Sequence, residues 1–136
     1  MFENIKKDIL GEKYSLSIAF VTPKKSKEIN KKYRGKDEPT NVLSFPLTKS
    51  EGEILLCKSV ILKEVKEKKK TGGRSYEEWL GFLVIHGMLH LKGMVHSSKM
   101  ERLEELYDKK HLHRNRRGYI YDQGRSRRIS KGRKKT

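Results

Sequence analysis

The sequence predicts a single α+β domain. Its 136 residues suffice for one modest core. Short segments of strand character lie in the first half, and segments with helical spacing surround and follow them. From Trp79 to Leu91 the chain is apolar nearly all round, which predicts a buried central helix.

Taken in order, residues 2–10 read as a short amphipathic helix ending near Gly11. Tyr14 to Val21 (YSLSIAFV) alternates polar with apolar side chains and predicts a half-buried strand, stopped at Thr22-Pro23. Lys24 to Tyr33 reads as a polar surface helix closed by Arg34-Gly35. Pro39 and Pro46 bracket TNVLSF, a β-rich segment too short for a helix, and Glu53 to Cys57 is a second apolar run. If these two pair, LTKSEG is their turn. Val60, Ile61, Leu62 and Val65 give the next helix its apolar stripe, which KKKTGG ends. Ser75 and Glu78 make a capping box for the central helix, and Gly93 supplies a left-handed stop. Lys99 to Lys109 reads as a last amphipathic helix. The domain is expected to span residues 1–108. A basic tail, 109–136, has little to bury and is expected to be disordered without a partner.

Charge divides the same way. The formal net charge is +16, and residues 109–136 hold twelve Lys or Arg against Asp122 alone, which is +11 of it. Such a tail favours polyanions. No apolar run reaches membrane-spanning length, so no membrane role is expected, and MFENIKKDIL lacks the apolar block of a signal peptide. The single Cys57 excludes an internal disulfide and suits a core position in a reducing cytoplasm.

Three of the five histidines fall within eleven residues, VIHGMLHLKGMVHSS. His86 and His90 are four apart, one helical turn above the other, so their imidazoles can converge on one point. Gly93 lets the chain reverse and bring His96 back to it. A lone histidine on an apolar helix is ordinarily a satisfied core residue, but three at the ligand spacing of metzincin proteases predict a shared metal. Three neutral imidazoles leave a fourth position open, as in catalytic sites. Zinc, one per chain, is the expected ion, although nickel, cobalt or copper also suit such donors. Proteases of this spacing carry Glu directly after the first histidine. Gly87 stands there, which argues against a peptidase, since peptide hydrolysis needs that base. Phosphodiester chemistry can proceed with a cation that activates water or polarises a phosphoryl oxygen, plus a guanidinium for the phosphate.

HGMLHLKGMVH, with KYRGKDEPTNVLSFPL and GEILLC upstream, resembles the YbeY family of bacterial endoribonucleases, also called rRNA maturation factors. The likeness covers most of residues 14–108. It implies a small mixed or mostly antiparallel sheet covered by helices. It also implies a metal-dependent endoribonuclease favouring single-stranded RNA, acting at the 3′ end of small-subunit 16S rRNA and in ribosome quality control. Implied partners are rRNA and the small ribosomal subunit with its proteins. Position by position, the resemblance implies His86, His90 and His96 as metal ligands and Arg34 as the functional arginine beside them. Thr40, Asn41 and Ser44 match a segment lining the same cleft, although turn and strand-edge hydrogen bonding explains them equally. Family members commonly have Asp at the positions of Asn41, Glu53 and Val95. An acid at 95 could orient an imidazole, a role that here must be met elsewhere or be absent.

In the tail, Arg114, Arg116, Arg117, Arg125, Arg127 and Arg128 are the expected RNA contacts, with Tyr119 and Tyr121 able to stack on bases. His111 and His113 read as solvated histidines of a basic tail. The alternative to an enzyme is a ribosome-assembly factor that binds rRNA or a ribosomal protein around a largely structural metal.

Overall fold

The computed structural model describes residues 2–114 and 120–122. Five helices and two sheets follow in the order α1 (Glu3–Ile9), β1 (Ser15–Phe20), α2 (Pro23–Arg34), β2 (Val42–Thr48), β3 (Glu51–Leu56), α3 (Lys58–Glu67), α4 (Tyr76–Leu91), α5 (Ser98–His111), β4 (Leu112–Arg114) and β5 (Ile120–Asp122). The expected α+β class is what forms. The main sheet is mixed, in the order β1-β3-β2, with β1 parallel and β2 antiparallel to the central β3.

Alternation along the strands separates two faces. Val42, Ser44, Gly52, Ile54 and Leu56 share the face that receives α4, and Ile54 and Leu56 are fully buried there. Gly52 is required by close approach: a Cβ would sit 2.9 Å from a Leu91 methyl and 2.3 Å from the Tyr14 hydroxyl. Phe45 points to the opposite face, where its ring meets Tyr33 of α2 edge-on at 5.3 Å. β2 runs on through Pro46 to Thr48, past the proline expected to bound it. An edge strand tolerates a residue without an N–H, and the register shifts between Pro46 and Thr48.

Local signals explain most boundaries. Thr22 caps α2 by accepting from the Lys25 N–H at 3.1 Å, and Pro23 opens the helix. The buried Ser26 and Asn30 dock this polar helix: Ser26 bonds both backbone groups of Thr40, and the Asn30 amide donates to the Glu38 carbonyl. Ser75 and Glu78 form the expected capping box of α4. α4 has eleven buried residues and packs against β2, β3, α1, α3 and α5, so it is the central element. Gly93, at φ +103°, reverses the chain after it.

In α3 the burial differs from the expected stripe. Ile61 is buried, but Leu62 is 44% exposed and Glu64 is turned inward. The reason is polar: the Glu64 carboxylate accepts from the Trp79 indole N–H at 2.9 Å and from the Asn41 amide at 3.0 Å. α5 extends past the expected end at Lys109 to His111, so the division expected after residue 108 falls inside a helix. Leu112 then packs over Gly81, where a Cβ would lie 2.4 Å from its methyl. His111 is not solvated as expected. It is buried, and its Nε2–H donates to the Asp8 carboxylate at 2.8 Å, tying α5 to α1. The β4–β5 ladder pairs Leu112 with Asp122 and Arg114 with Ile120.

Candidate metal centre

α4 carries His86 and His90 on one face, at its last turns before Gly93, and the reversing loop returns His96 to them. Their ring centroids lie 4.5, 4.7 and 5.1 Å apart, and one ligand-capable atom from each falls within 4.8 Å of the others. The structure therefore brings together the three histidines that the spacing singled out.

Hydrogen bonds fix which nitrogen of two of these rings faces the centre. The His90 Nδ1–H donates to the Met94 carbonyl at 3.0 Å, an oxygen that can only accept. The His86 Nδ1–H donates to the Glu104 carboxylate, carried on α5 and almost fully buried. Both Nε2 atoms thereby point to the centre, and they face each other at 3.1 Å. Two ring nitrogens at that distance need a proton or a metal ion between them. Zinc–nitrogen bonds of about 2.05 Å at a tetrahedral centre separate two donors by about 3.4 Å, close to the spacing found. Burial, reinforced by the nearby His86, holds the His90 imidazole below the ordinary histidine pKa, so it is neutral and ready to ligate at neutral pH. The donor set fits a borderline-soft divalent ion such as zinc.

Glu104 answers the question raised by Val95. Val95 is exposed and orients nothing, whereas Glu104 supplies the carboxylate–histidine pairing typical of metal sites. Its sequence signal is faint but real. Met100, Leu103, Glu104 and Tyr107 lie on one helical stripe, and an acid on a buried stripe needs a partner. Gly87 also gains a physical reason. It faces the sheet, where Ser44 Oγ donates to its carbonyl at 3.1 Å, and a Cβ would lie 2.9 Å from that oxygen and 3.0 Å from Ile54 Cδ1. A side chain at 87 would therefore enter the contact with Ser44 and Ile54 of the sheet.

Beside the histidines lies a pocket of about 360 Å³. Trp79 and Phe82, His86 and His96, and the acids Glu101 and Glu104 line it. Arg34 ends α2 as an exposed residue before the left-handed Gly35 and is not among the lining residues. Thr40 and Asn41 serve the structural contacts described above, to Ser26 and Glu64. Arg114 belongs to β4, and Arg116, Arg117, Arg125, Arg127 and Arg128 lie outside the described residues, as does Tyr119. No described helix is long and apolar enough to cross a membrane.

Comparison with known proteins agrees with this geometry. The family model described as Endoribonuclease YbeY matches residues 1–116. A Colwellia psychrerythraea protein named Endoribonuclease YbeY is 40% identical over 101 residues, covering 69% of this chain and 63% of its own length. A Thermotoga neapolitana protein of the same name is 36% identical over 112 residues, covering 82% and 71%. The solution structure of a Thermotoga maritima protein superposes with a TM-score of 0.54 at 31% identity, covering 78% of this chain and 77% of the other. The chain thus spans roughly two thirds of the length of its curated relatives, 63% for the Colwellia protein and 71% for the Thermotoga neapolitana one. By family, the chain is a member of the YbeY endoribonucleases.

Proposed function

We propose that the chain is a metal-dependent endoribonuclease favouring single-stranded RNA. Its proposed role is rRNA maturation at the 3′ end of small-subunit 16S rRNA, and ribosome quality control, in the cytoplasm. The observation that carries the reading is the pair of Nε2 atoms facing each other at 3.1 Å, their rings oriented by Glu104 and the Met94 carbonyl, with His96 alongside. His86, His90 and His96 would hold one zinc ion. When bound, such an ion polarises a phosphoryl oxygen and lowers the pKa of water, supplying a nucleophile at neutral pH.

The chain's own residues do the remaining work. Glu104 keeps His86 in the ligating tautomer, and the Met94 carbonyl does the same for His90. Arg34 is proposed as a phosphate ligand that approaches the strand from outside the pocket. The tail arginines 114, 116, 117, 125, 127 and 128 are proposed to hold rRNA or the small subunit by phosphate contacts. Gly87 speaks against peptide hydrolysis, for the steric reason given above.

Zinc-loaded protein should cleave a single-stranded oligoribonucleotide, with activity lost on chelation and in His86→Ala. Cleavage indifferent to both would reject the reading. Tight binding to small subunits by well-metallated protein that cuts nothing would favour the assembly-factor role instead.

A further inference from the structure

We infer that Lys70 is a phosphate-contacting residue of the metal pocket, an assignment that rests on the RNA-cleaving reading above. Among the described residues that line that pocket, Lys70 is the only lysine or arginine. It lines the pocket together with His86, His96 and the acids Glu101 and Glu104. An RNA strand entering a pocket with two carboxylates on its wall needs a cation to offset their repulsion, and Arg34 does not line it.

The loop that carries Lys70 is built to hold a position. Lys68 ends α3 in the left-handed conformation at φ 64°, and Gly72 and Gly73 follow at φ 63° and 88°. The fully buried Thr71 anchors the turn: its hydroxyl accepts from the Gly73 N–H, and its carbonyl accepts from the backbone N–H and guanidinium of Arg74. Arg74 in turn lies over the Phe82 ring at 4.6 Å. Lys70 Nζ donates to Glu64 Oε2 at 3.3 Å, while its side chain stays 69% exposed. Glu64 is itself fixed by Trp79 and Asn41. The ammonium is therefore tethered at one point and open to the pocket at the others, as a phosphate ligand requires. An ammonium has three donors, so bonding to Glu64 leaves two for phosphate oxygens.

The test uses the full, zinc-loaded chain and a fluorescent 2′-O-methyl decaribonucleotide, with affinity read by anisotropy across a salt series. Lys70→Ala should weaken binding about five-fold at 0.1 M salt and flatten the logarithmic salt slope by about 0.7, one single-strand phosphate contact. Lys70→Arg should retain most of the affinity. Lys7→Ala, which removes the same charge from an exposed position on α1, should change binding less. In cleavage assays Lys70→Ala should raise KM more than it lowers kcat. Equal losses in Lys70→Ala and Lys7→Ala, or none in Lys70→Ala, would overturn the assignment. Wild-type protein that binds the probe but never cleaves RNA would defeat the proposed activity, while the binding comparison would still decide the role of Lys70.

Discussion

His86 Nε2 and His90 Nε2 face each other at 3.1 Å, each with its opposite ring nitrogen already committed to an acceptor. One turn of helix supplies the two rings. The acceptors come from outside it, Glu104 from α5 and the Met94 carbonyl from the reversing loop. The centre is thus held in place by three separate parts of the chain, and each can be disturbed alone.

Glu104→Ala removes the carboxylate that orients His86 without touching a ligand. Zinc affinity should fall by about 10- to 100-fold, the usual effect of losing such a partner. Competition against a chromophoric chelator measures it. Far-ultraviolet circular dichroism should remain that of the parent protein.

Gly87→Ala places a methyl group against Ser44 Oγ and Ile54 Cδ1. Overpacking of this kind costs about 1–3 kcal/mol, readable as a lowered urea midpoint with an unchanged slope. Gly87→Glu should fail to fold and should not yield a peptidase, because that position faces the sheet. A stable, casein-digesting Gly87→Glu protein would show that position 87 reaches the metal.

Asp8 links α1 to the end of α5 through Lys110 at 2.7 Å and His111 at 2.8 Å. The hydrogen bond from Lys110 is the main cause that holds its carboxyl below the ordinary aspartate pKa, with His111 adding to it against the upward push of burial. A carboxyl depressed in the folded state stabilises the protein above the unfolded value of about 4, and that contribution disappears as pH falls through the folded value. Asp8→Asn should therefore lower stability at pH 6, and the two proteins should converge as the pH drops below about 4. Parallel urea midpoints across that range would contradict the linkage.

How much of this was legible in the sequence depends on whether the deciding contact was local. The capping box of α4, the stop at Gly93 and the end of β1 before Thr22-Pro23 are set within a few residues, and each is where it was expected. The trio of histidines was legible because helical periodicity and one reversal bring them together. Contacts between distant segments were not. Glu64 lies off the apolar stripe that the sequence of α3 predicts, and the partners that turn it inward, Trp79 and Asn41, are 15 and 23 residues away. His111 read as a tail residue because Asp8 is 103 positions distant. Glu104 could have been suspected from its place on an apolar stripe, but its partner 18 residues earlier could not be named.

Metal content per chain tests the central claim most directly. Full-length protein purified without chelator, supplemented with zinc and weighed by native mass spectrometry, should carry one zinc ion. It should release that ion as acid protonates the imidazoles, and His90→Ala should hold far less than one. A wild-type protein that takes up no zinc, or a His90→Ala protein that keeps a full equivalent, would contradict the account.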